Sequence, residues 1–278
     1  MLFRSKKNKA NQMTVQVDNT GRHYIYNEDC TEVLKGFAKH GLYTPDLVFM
    51  DPPFNIGQQY DTHNDNMPQP QFDAFIGSCV YWGSCVLRKS GLLLVHIPDH
   101  MVAITLEYIK YNNKMFQYSE RMEQVGWIIW HYRFAQHCRG RFIPSKMHCL
   151  VFRKGSDNHT FNDEQIMEQS DRASKYNDKR TLDSATPGMR NMFDVWTDIP
   201  RLTGNSKERV AGDNPNQLPE AYIERLLLAY TNPDDTVVDM FGGTFTVASV
   251  CKRLGNKSLT CEISENYCKA GLQRINNV

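Results

Sequence analysis

Asp46-Leu47-Val48-Phe49-Met50-Asp51-Pro52-Pro53-Phe54 is the stretch that decides the fold. Four apolar residues follow Asp46 without alternation, the pattern of a strand buried on both faces. The run stops at Pro52-Pro53. Proline cannot donate to a central ladder, so the strand ends there and opens into a loop.

The same logic extends outward in both directions. Upstream, residues 23–26 (HYIY) read as a short strand ending at Asn27–Cys30, and Thr31–His40 as a helix. Downstream, residues 55–70 form a polar loop long enough to be either disordered or a functional lid. Phe72–Arg88 has helical spacing, Leu92–Ile97 reads as a second buried strand, and a helical stretch surrounds His100–Ile109. After an ill-defined segment reaching Gln124 come strands at Trp127–Arg133 and Lys146–Phe152. From 155 to 190 the chain turns polar, as an insert outside the core sheet would. Ala221–Tyr230 reads as a helix, Thr236–Met240 as a strand, Gly242-Gly243 as a tight turn and Thr246–Leu254 as a helix. Lys257–Cys261 is a strand and Glu265–Ile275 a closing helix. Strands separated by helices at this spacing imply the α/β class, an open, mostly parallel sheet with helices on both faces. Ligands of such sheets sit outside the carboxyl ends of the strands, so the loops after Met50 and Met240 belong to one edge.

Bulk properties set outer limits. A chain of 278 residues accommodates one large α/β domain, or a core domain with a small insert. A net charge of +1 does not announce a nucleic-acid binder, but local charge does more. Between His131 and Gly155 there are six Lys or Arg and no Asp or Glu, interleaved with aromatics. Arg4, Lys6, Lys7 and Lys9 make a second cluster in residues 1–20, read as a basic, flexible N-terminus. Such faces neutralise phosphates, although a solvated surface is the plainer alternative. The eight cysteines include no C-x-x-C pair and match no zinc template, so no metal is expected and reduced cytosolic thiols are. The longest apolar runs, Gly91–Pro98 and Ile223–Tyr230, are too short to span a bilayer.

Two turns carry chemistry. An exocyclic amine on an aromatic base is a poor nucleophile, because its lone pair is delocalised into the ring. Two acceptors placed where its hydrogens point turn that lone pair outward. The Asp51 carboxylate and the Pro52 carbonyl, stiffened by Pro53, fit this role, and Phe54 offers a face for stacking, ~1–3 kcal/mol per base. A plain strand-terminating turn is the alternative. The second turn is Asp239-Met240-Phe241-Gly242-Gly243-Thr244, a strand end, a glycine turn and a helix start, where a bulky ligand can approach the backbone. Glu262 ends the next strand about 20 residues on, where an acid binds ribose hydroxyls. His96 and His100, near the same edge, read as structural or exposed.

With these motifs in place the chain resembles the beta group of DNA amino-methyltransferases, over most of residues 23–278. Asp51-Pro52-Pro53-Phe54 resembles the family's catalytic motif in its N6-adenine form; Ser is commoner at the first position in N4-cytosine enzymes. Asn27–Cys30, with Asp29, resembles the opening segment near the cofactor's adenine. Asp194–Pro200 resembles its Trp-x-x-Pro-type segment. Asn214–Pro219, with Asn216 and Gln217, resembles the segment at the cofactor's methionine end, and Asp239–Thr244 the glycine-turn motif. The resemblance implies a Rossmann-like, S-adenosylmethionine-dependent methyltransferase fold in circularly permuted motif order. Residues 21–154 are then the catalytic half, 191–278 the cofactor-binding half, and 155–190 a candidate target-recognition insert. Cofactor contacts would come from Asp29, Asn216, Gln217, Asp239, Phe241, Gly242, Gly243, Thr244 and Glu262. Three residues depart from the pattern: Met240 for the usual Pro, Phe245 for the usual Gly and Leu218 for the usual Lys. Phe245 must find room or turn away from the cofactor.

The implied substrate is double-stranded DNA with its target base flipped out. Loop 55–70 could close over that base. Arg133, Arg139, Arg141 and Lys146 could grip phosphates, and Arg172, Lys175, Lys179 and Arg180 could serve the insert's contacts with DNA. Alternatives are methylation of cytosine N4 and an inactive DNA-binding protein of the same fold. A homodimer and a separately encoded restriction nuclease are partners that the resemblance allows, and the cytoplasm of a bacterial cell or phage-infected host is the expected setting.

Overall fold

The computed structural model describes residues 14–59, 62–63, 65–133, 137–176, 178–182, 185–210 and 216–278. The Arg4–Lys9 cluster, Asn214 and Pro215 lie outside the described residues. The elements are β1 (Thr14–Val17), β2 (His23–Asn27), α1 (Cys30–His40), β3 (Leu47–Met50), α2 (Gln69–Val86), β4 (Leu92–Ile97), α3 (Asp99–Met115), β5 (Met122–His131) and β6 (Lys146–Lys154). They continue with β7 (Met167–Gln169), α4 (Asp171–Ser174), α5 (Lys179–Leu182), β8 (Met189–Asn191), β9 (Val195–Trp196), α6 (Glu220–Tyr230), β10 (Thr236–Asp239), α7 (Thr246–Leu254), β11 (Lys257–Cys261) and α8 (Glu265–Asn276).

One sheet runs β1-β2-β11-β10-β3-β4-β6-β5-β9. The five strands from β2 to β4 in that order are mutually parallel. β1 and β6 run against them, while β5 and β9 run with them. All four residues of β3 are buried, and they divide between two cores. Val48 and Met50 pack with Val33, Leu34, Phe72, Ile76 and Val80 under α1 and α2. Leu47 and Phe49 pack with Tyr222, Leu226, Val247 and Val250 under α6 and α7. Burial on both faces removes any pressure to alternate, which is why the run was continuously apolar. Each such side chain contributes ~1.5–3 kcal/mol by leaving water.

The connections create the site. From β3 the chain crosses through α2 to β4 on one side, and from β10 through α7 to β11 on the other. Right-handed crossovers in opposite directions put α2 and α7 on opposite faces. The order therefore switches between β3 and β10, and a crevice opens above their carboxyl ends.

Several boundaries differ from the sequence expectation. Thr14–Val17 is not frayed: β1 pairs with β2 from Thr14↔Asn27 to Val17↔Tyr24. Its valines are partly exposed on the sheet's outer edge, so no buried pattern marked it. β5 starts at Met122 rather than Trp127, because a bulge between Gln124 and Gly126 breaks its alternation. β9 has two residues, too few for any pattern. α3 runs on to Met115, and α2 starts at Gln69 behind Pro68, with Pro70 in its first turn.

Within 155–190, β7 pairs with β8 in a two-stranded ladder separate from the main sheet. Asn162 ties the start of this segment to α6, its amide donating to the carbonyls of Leu228 and Thr231. Among the described residues, no helix is long and apolar enough to cross a membrane.

Candidate active site

The crevice at the switch point is a cavity whose walls come from both turns. Asp51, Pro52, Pro53 and Phe54 line it from β3, and Asp239, Met240, Phe241, Gly242, Gly243 and Thr244 from β10. Glu28 and Asp29 reach it from the end of β2, Glu262 from β11, and Asn216, Gln217 and Leu218 from the segment before α6. All four proposed catalytic residues and all nine proposed cofactor contacts thus share one cleft.

The first turn is held by bonds that no local motif announced. Asp65 is buried, and its carboxylate accepts the backbone N–H groups of Asn55 (2.8 Å), Ile56 (3.1 Å) and Gln58 (2.9 Å). The Asn55 side chain bonds Met67 in both directions. The His100 ring donates from Nε2 to the Phe54 carbonyl at 3.1 Å. Phe54 itself packs against both cores, so the proline turn cannot swing freely. Thr62 and His63, from the same loop, also line the cleft.

The second turn has a packing reason as well as a conformational one. A Cβ on Gly242 would lie 2.7 Å from Thr260 Cγ2, closer than real contacts allow. Phe245 follows at φ +60°, a left-handed conformation costing ~1–2 kcal/mol for a residue with a side chain. Its ring is fully buried with Ile25, Ala248, Cys268 and Ile275, which offsets that cost. The space exists because α8 carries Gly271 there: a Cβ on Gly271 would sit 2.2 Å from the Phe245 ring. Phe245 turns away from the cleft, and the departure from the family pattern leaves the cavity open.

Electrostatics favour a positively charged guest. Five carboxylates line the cleft, those of Glu28, Asp29, Asp51, Asp239 and Glu262, and no lysine or arginine is among its described lining residues. Burial, and then the neighbouring Asp239 charge, push the Asp51 carboxyl well above the usual carboxylate range. Burial raises Asp239 to about 7, against an opposing bond from the Phe241 N–H. Glu262 accepts from the N–H of Gly243 and of Ser264, both at 2.8 Å, and so ties the glycine turn to the start of α8. Asp29 caps α1 through Thr31 N at 2.8 Å. The Gln217 amide is committed to backbone, accepting from Val210 and donating to Glu208. Its part in the cleft is therefore to shape the wall.

Sequence reasoning missed Phe75, whose ring meets Phe241 edge-on at 6.1 Å, because helical spacing alone marked it as core. It also missed Arg274, which donates to the Thr244 carbonyl (2.7 Å) and to Glu220 (2.6 Å), stapling α8 to the turn and to α6. Of the histidines, His96 is buried with Nδ1 2.8 Å from the Tyr222 hydroxyl, and burial lowers it to about 3. It is neutral and structural.

The cations read as DNA contacts differ in their partners. Arg133, Arg139 and Arg141 are exposed and form no ion pair among the described residues. Lys146 pairs with Asp99 at 3.5 Å. Arg153 and Lys154 pair with Glu123 and Glu120 at the opposite edge. In the insert Lys175 pairs with Asp171 (3.1 Å) and Arg180 with Asp178 (2.9 Å). Arg172 and Lys179 are exposed on α4 and α5.

Fold and cleft together define a doubly wound α/β protein with an acidic ligand site at its switch point. The DNA methylase family model, which covers N6- and N4-directed enzymes, matches residues 45–273, so the chain belongs to that family. It is an S-adenosylmethionine-dependent DNA amino-methyltransferase. Among its relatives is the DNA adenine methyltransferase YhdJ of Escherichia coli (strain K12), 28% identical over 276 residues, covering 92% of this chain and 83% of the relative. Two solved structures share the fold. The complex of M1.HpyAVI with S-adenosylmethionine has a TM-score of 0.64 at 16% identity, covering 91% of this chain and 98% of the other. The cytosine-N4-specific PvuII DNA methyltransferase has a TM-score of 0.64 at 17% identity, covering 94% and 89%. The acid-lined cleft fits a cofactor that carries both a sulfonium and an ammonium charge.

Proposed function

We propose that the protein methylates N6 of an adenine flipped out of duplex DNA. The observation that carries this reading is the Asp51-Pro52-Pro53-Phe54 turn, held at the switch point and facing the same cleft as Asp239 and Glu262. The cofactor supplies an electrophilic methyl group on a cationic sulfur. Asp51 and the Pro52 carbonyl accept the two amine hydrogens, which turns the nitrogen lone pair toward the cleft. The nitrogen–carbon bond would form as the carbon–sulfur bond breaks, and the methylated amine would then lose one of those hydrogens as a proton to solvent through Asp51. Phe54 gives the base a stacking surface. Asp51 must be ionised to accept, and burial opposes that. The cost falls when a cation lies beside it, so the turn becomes a competent acceptor once the cleft is filled. Aspartate at position 51, and the adenine specificity named for the Escherichia coli relative, favour adenine over cytosine. The cytoplasm of a bacterial or phage-infected cell is the setting we assign, where thiols outside any disulfide stay reduced.

The test is to incubate the protein with S-adenosylmethionine and mixed-sequence duplex DNA, digest the DNA to nucleosides, and identify the product by mass spectrometry. N6-methyladenine is expected. N4-methylcytosine would keep the chemistry and replace the substrate. No methylated base, with no cofactor binding by calorimetry, would overturn the reading.

A further inference from the structure

The connection between β5 and β6 presents an apolar tip that the fold does not use. β6 is antiparallel to β4, with His148 opposite Ile97, and β4 is parallel to β3, with Val95 opposite Met50. The end of β5 and the start of β6 therefore stand at the edge where β3 releases Asp51. Two strand spacings, roughly 10 Å, separate β6 from β3. The neck of the connection is closed: the Ser145 carbonyl accepts from Tyr132 N (2.9 Å) and from the His131 ring (3.0 Å). The Tyr132 ring packs edge-on against Trp130 at 5.3 Å and lies under the Arg201 guanidinium at 5.5 Å. Beyond this neck Phe142 is 99% exposed, more than any other large apolar side chain described, and Ile143 beside it is 44% exposed. Arg139 and Arg141 precede the pair, with no acidic residue between His131 and Gly155.

Leaving a phenylalanine wholly in water forgoes ~1.5–3 kcal/mol of burial, so a ring held out on a closed neck calls for a partner. Charge selects it. A second copy of this chain would bring the same basic tip against itself, whereas duplex DNA offers phosphates to the arginines and a base stack to the ring. We propose that Phe142 enters the base stack of bound duplex and fills the space vacated by the target nucleotide, while Arg139 and Arg141 hold the flanking phosphates. This rests on the DNA methyltransferase reading above. Removing a base from the stack costs a few kcal/mol, and an aromatic ring stacked in its place returns ~1–3 kcal/mol per base face.

The experiment compares native protein with Phe142→Ala and Phe142→Trp, on a duplex containing the sequence that the native protein methylates. A matched duplex carries a mismatch at the target base, which is already poorly stacked. 2-Aminopurine at the target position reports flipping. Phe142→Ala should methylate the paired duplex about tenfold or more slowly and lose most of the 2-aminopurine fluorescence rise. It should approach the native rate on the mismatched duplex, and Phe142→Trp should restore both signals. Equal rates for native and Phe142→Ala on paired duplex would overturn the inference. So would equal losses on both duplexes. A native dimer that Phe142→Ala dissociates, with paired-duplex methylation intact, would assign the ring to a chain–chain interface and overturn it too. A native protein that methylates no DNA brings down the functional reading and this inference together, whereas an active native protein with an indifferent Phe142 brings down only the inference.

Discussion

The active edge of the sheet and the insert at 155–190 are both rich in polar residues, yet they are built in opposite ways. At the edge, the turns are pinned from other elements as well as from their own loop: His100 holds the Phe54 carbonyl, Glu262 holds Gly243, Gly271 makes room for Phe245, and Asp65 of the same loop holds 55–58. In the insert, Lys175, Arg180 and Arg190 pair with Asp171, Asp178 and Glu168, within the segment itself. Charge count alone scored both regions as DNA-facing. Pairing separates Lys175 and Arg180 from Arg139 and Arg141, because a cation already neutralised on the surface has less to offer a phosphate, while exposed Arg139 and Arg141 form no ion pair among the described residues.

Three results would sharpen or break this contrast, and the largest concerns packing. Gly271→Ala drives a Cβ into the Phe245 ring and should destabilise the fold by ~1–3 kcal/mol, with Phe245→Ala in the same chain recovering part of the loss. Lys175→Ala in the insert removes the exposed pair with Asp171 and should cost ~0–1 kcal/mol. Denaturant unfolding of the variants compares them directly; equal costs would erase the distinction.

The next effect is on pH. Asp239 is raised to about 7 in the folded chain from an ordinary carboxylate value of 3.8. Between these values the folded state binds more protons than the unfolded state. Stability therefore falls as pH rises through that window, and the favourable contribution present at low pH is gone above about 7. Thermal unfolding without cofactor should show this slope between pH 5 and pH 8, and Asp239→Asn should flatten it. Cofactor binding favours the ionised form, so affinity should increase over the same range with release of protons. Calorimetry in buffers of different ionisation enthalpy reads that release, and an uptake of protons would contradict it.

The smallest effect is on salt dependence. Arg139→Ala with Arg141→Ala should reduce the slope of log affinity against log salt for duplex DNA by about 0.9 for each phosphate that is no longer neutralised. Lys175→Ala with Arg180→Ala should change it less. A larger change from the insert pair would reverse the assignment of the two regions.

The contrast also explains what the sequence could reveal. β3 and β10 were legible because burial on both faces leaves an unbroken apolar run, and the turns after them because proline and glycine are needed where they stand. β1 and β9 were not: both are short edge strands, β1 with its valines exposed and β9 only two residues long. The compensation of Phe245 by Gly271 spans 26 positions, and its one local trace is a glycine inside a helix, where alanine would be about 1 kcal/mol better. Asp65 carried no mark at all: an aspartate in a polar loop looks the same whether it is solvated or receives three backbone N–H groups.

The central claim is that one cleft holds the cofactor through the β10 and β11 ends and presents the base through the β3 end. Cofactor calorimetry and methyl transfer to DNA, measured side by side on Asp51→Ala and Glu262→Ala, test it most directly. Asp51→Ala should bind S-adenosylmethionine with native-like affinity or better, yet transfer at least about 100-fold more slowly. Glu262→Ala should lose cofactor affinity first. An Asp51→Ala protein that methylates at the native rate, or a Glu262→Ala protein that binds cofactor as the native chain does, would contradict the division of the cleft.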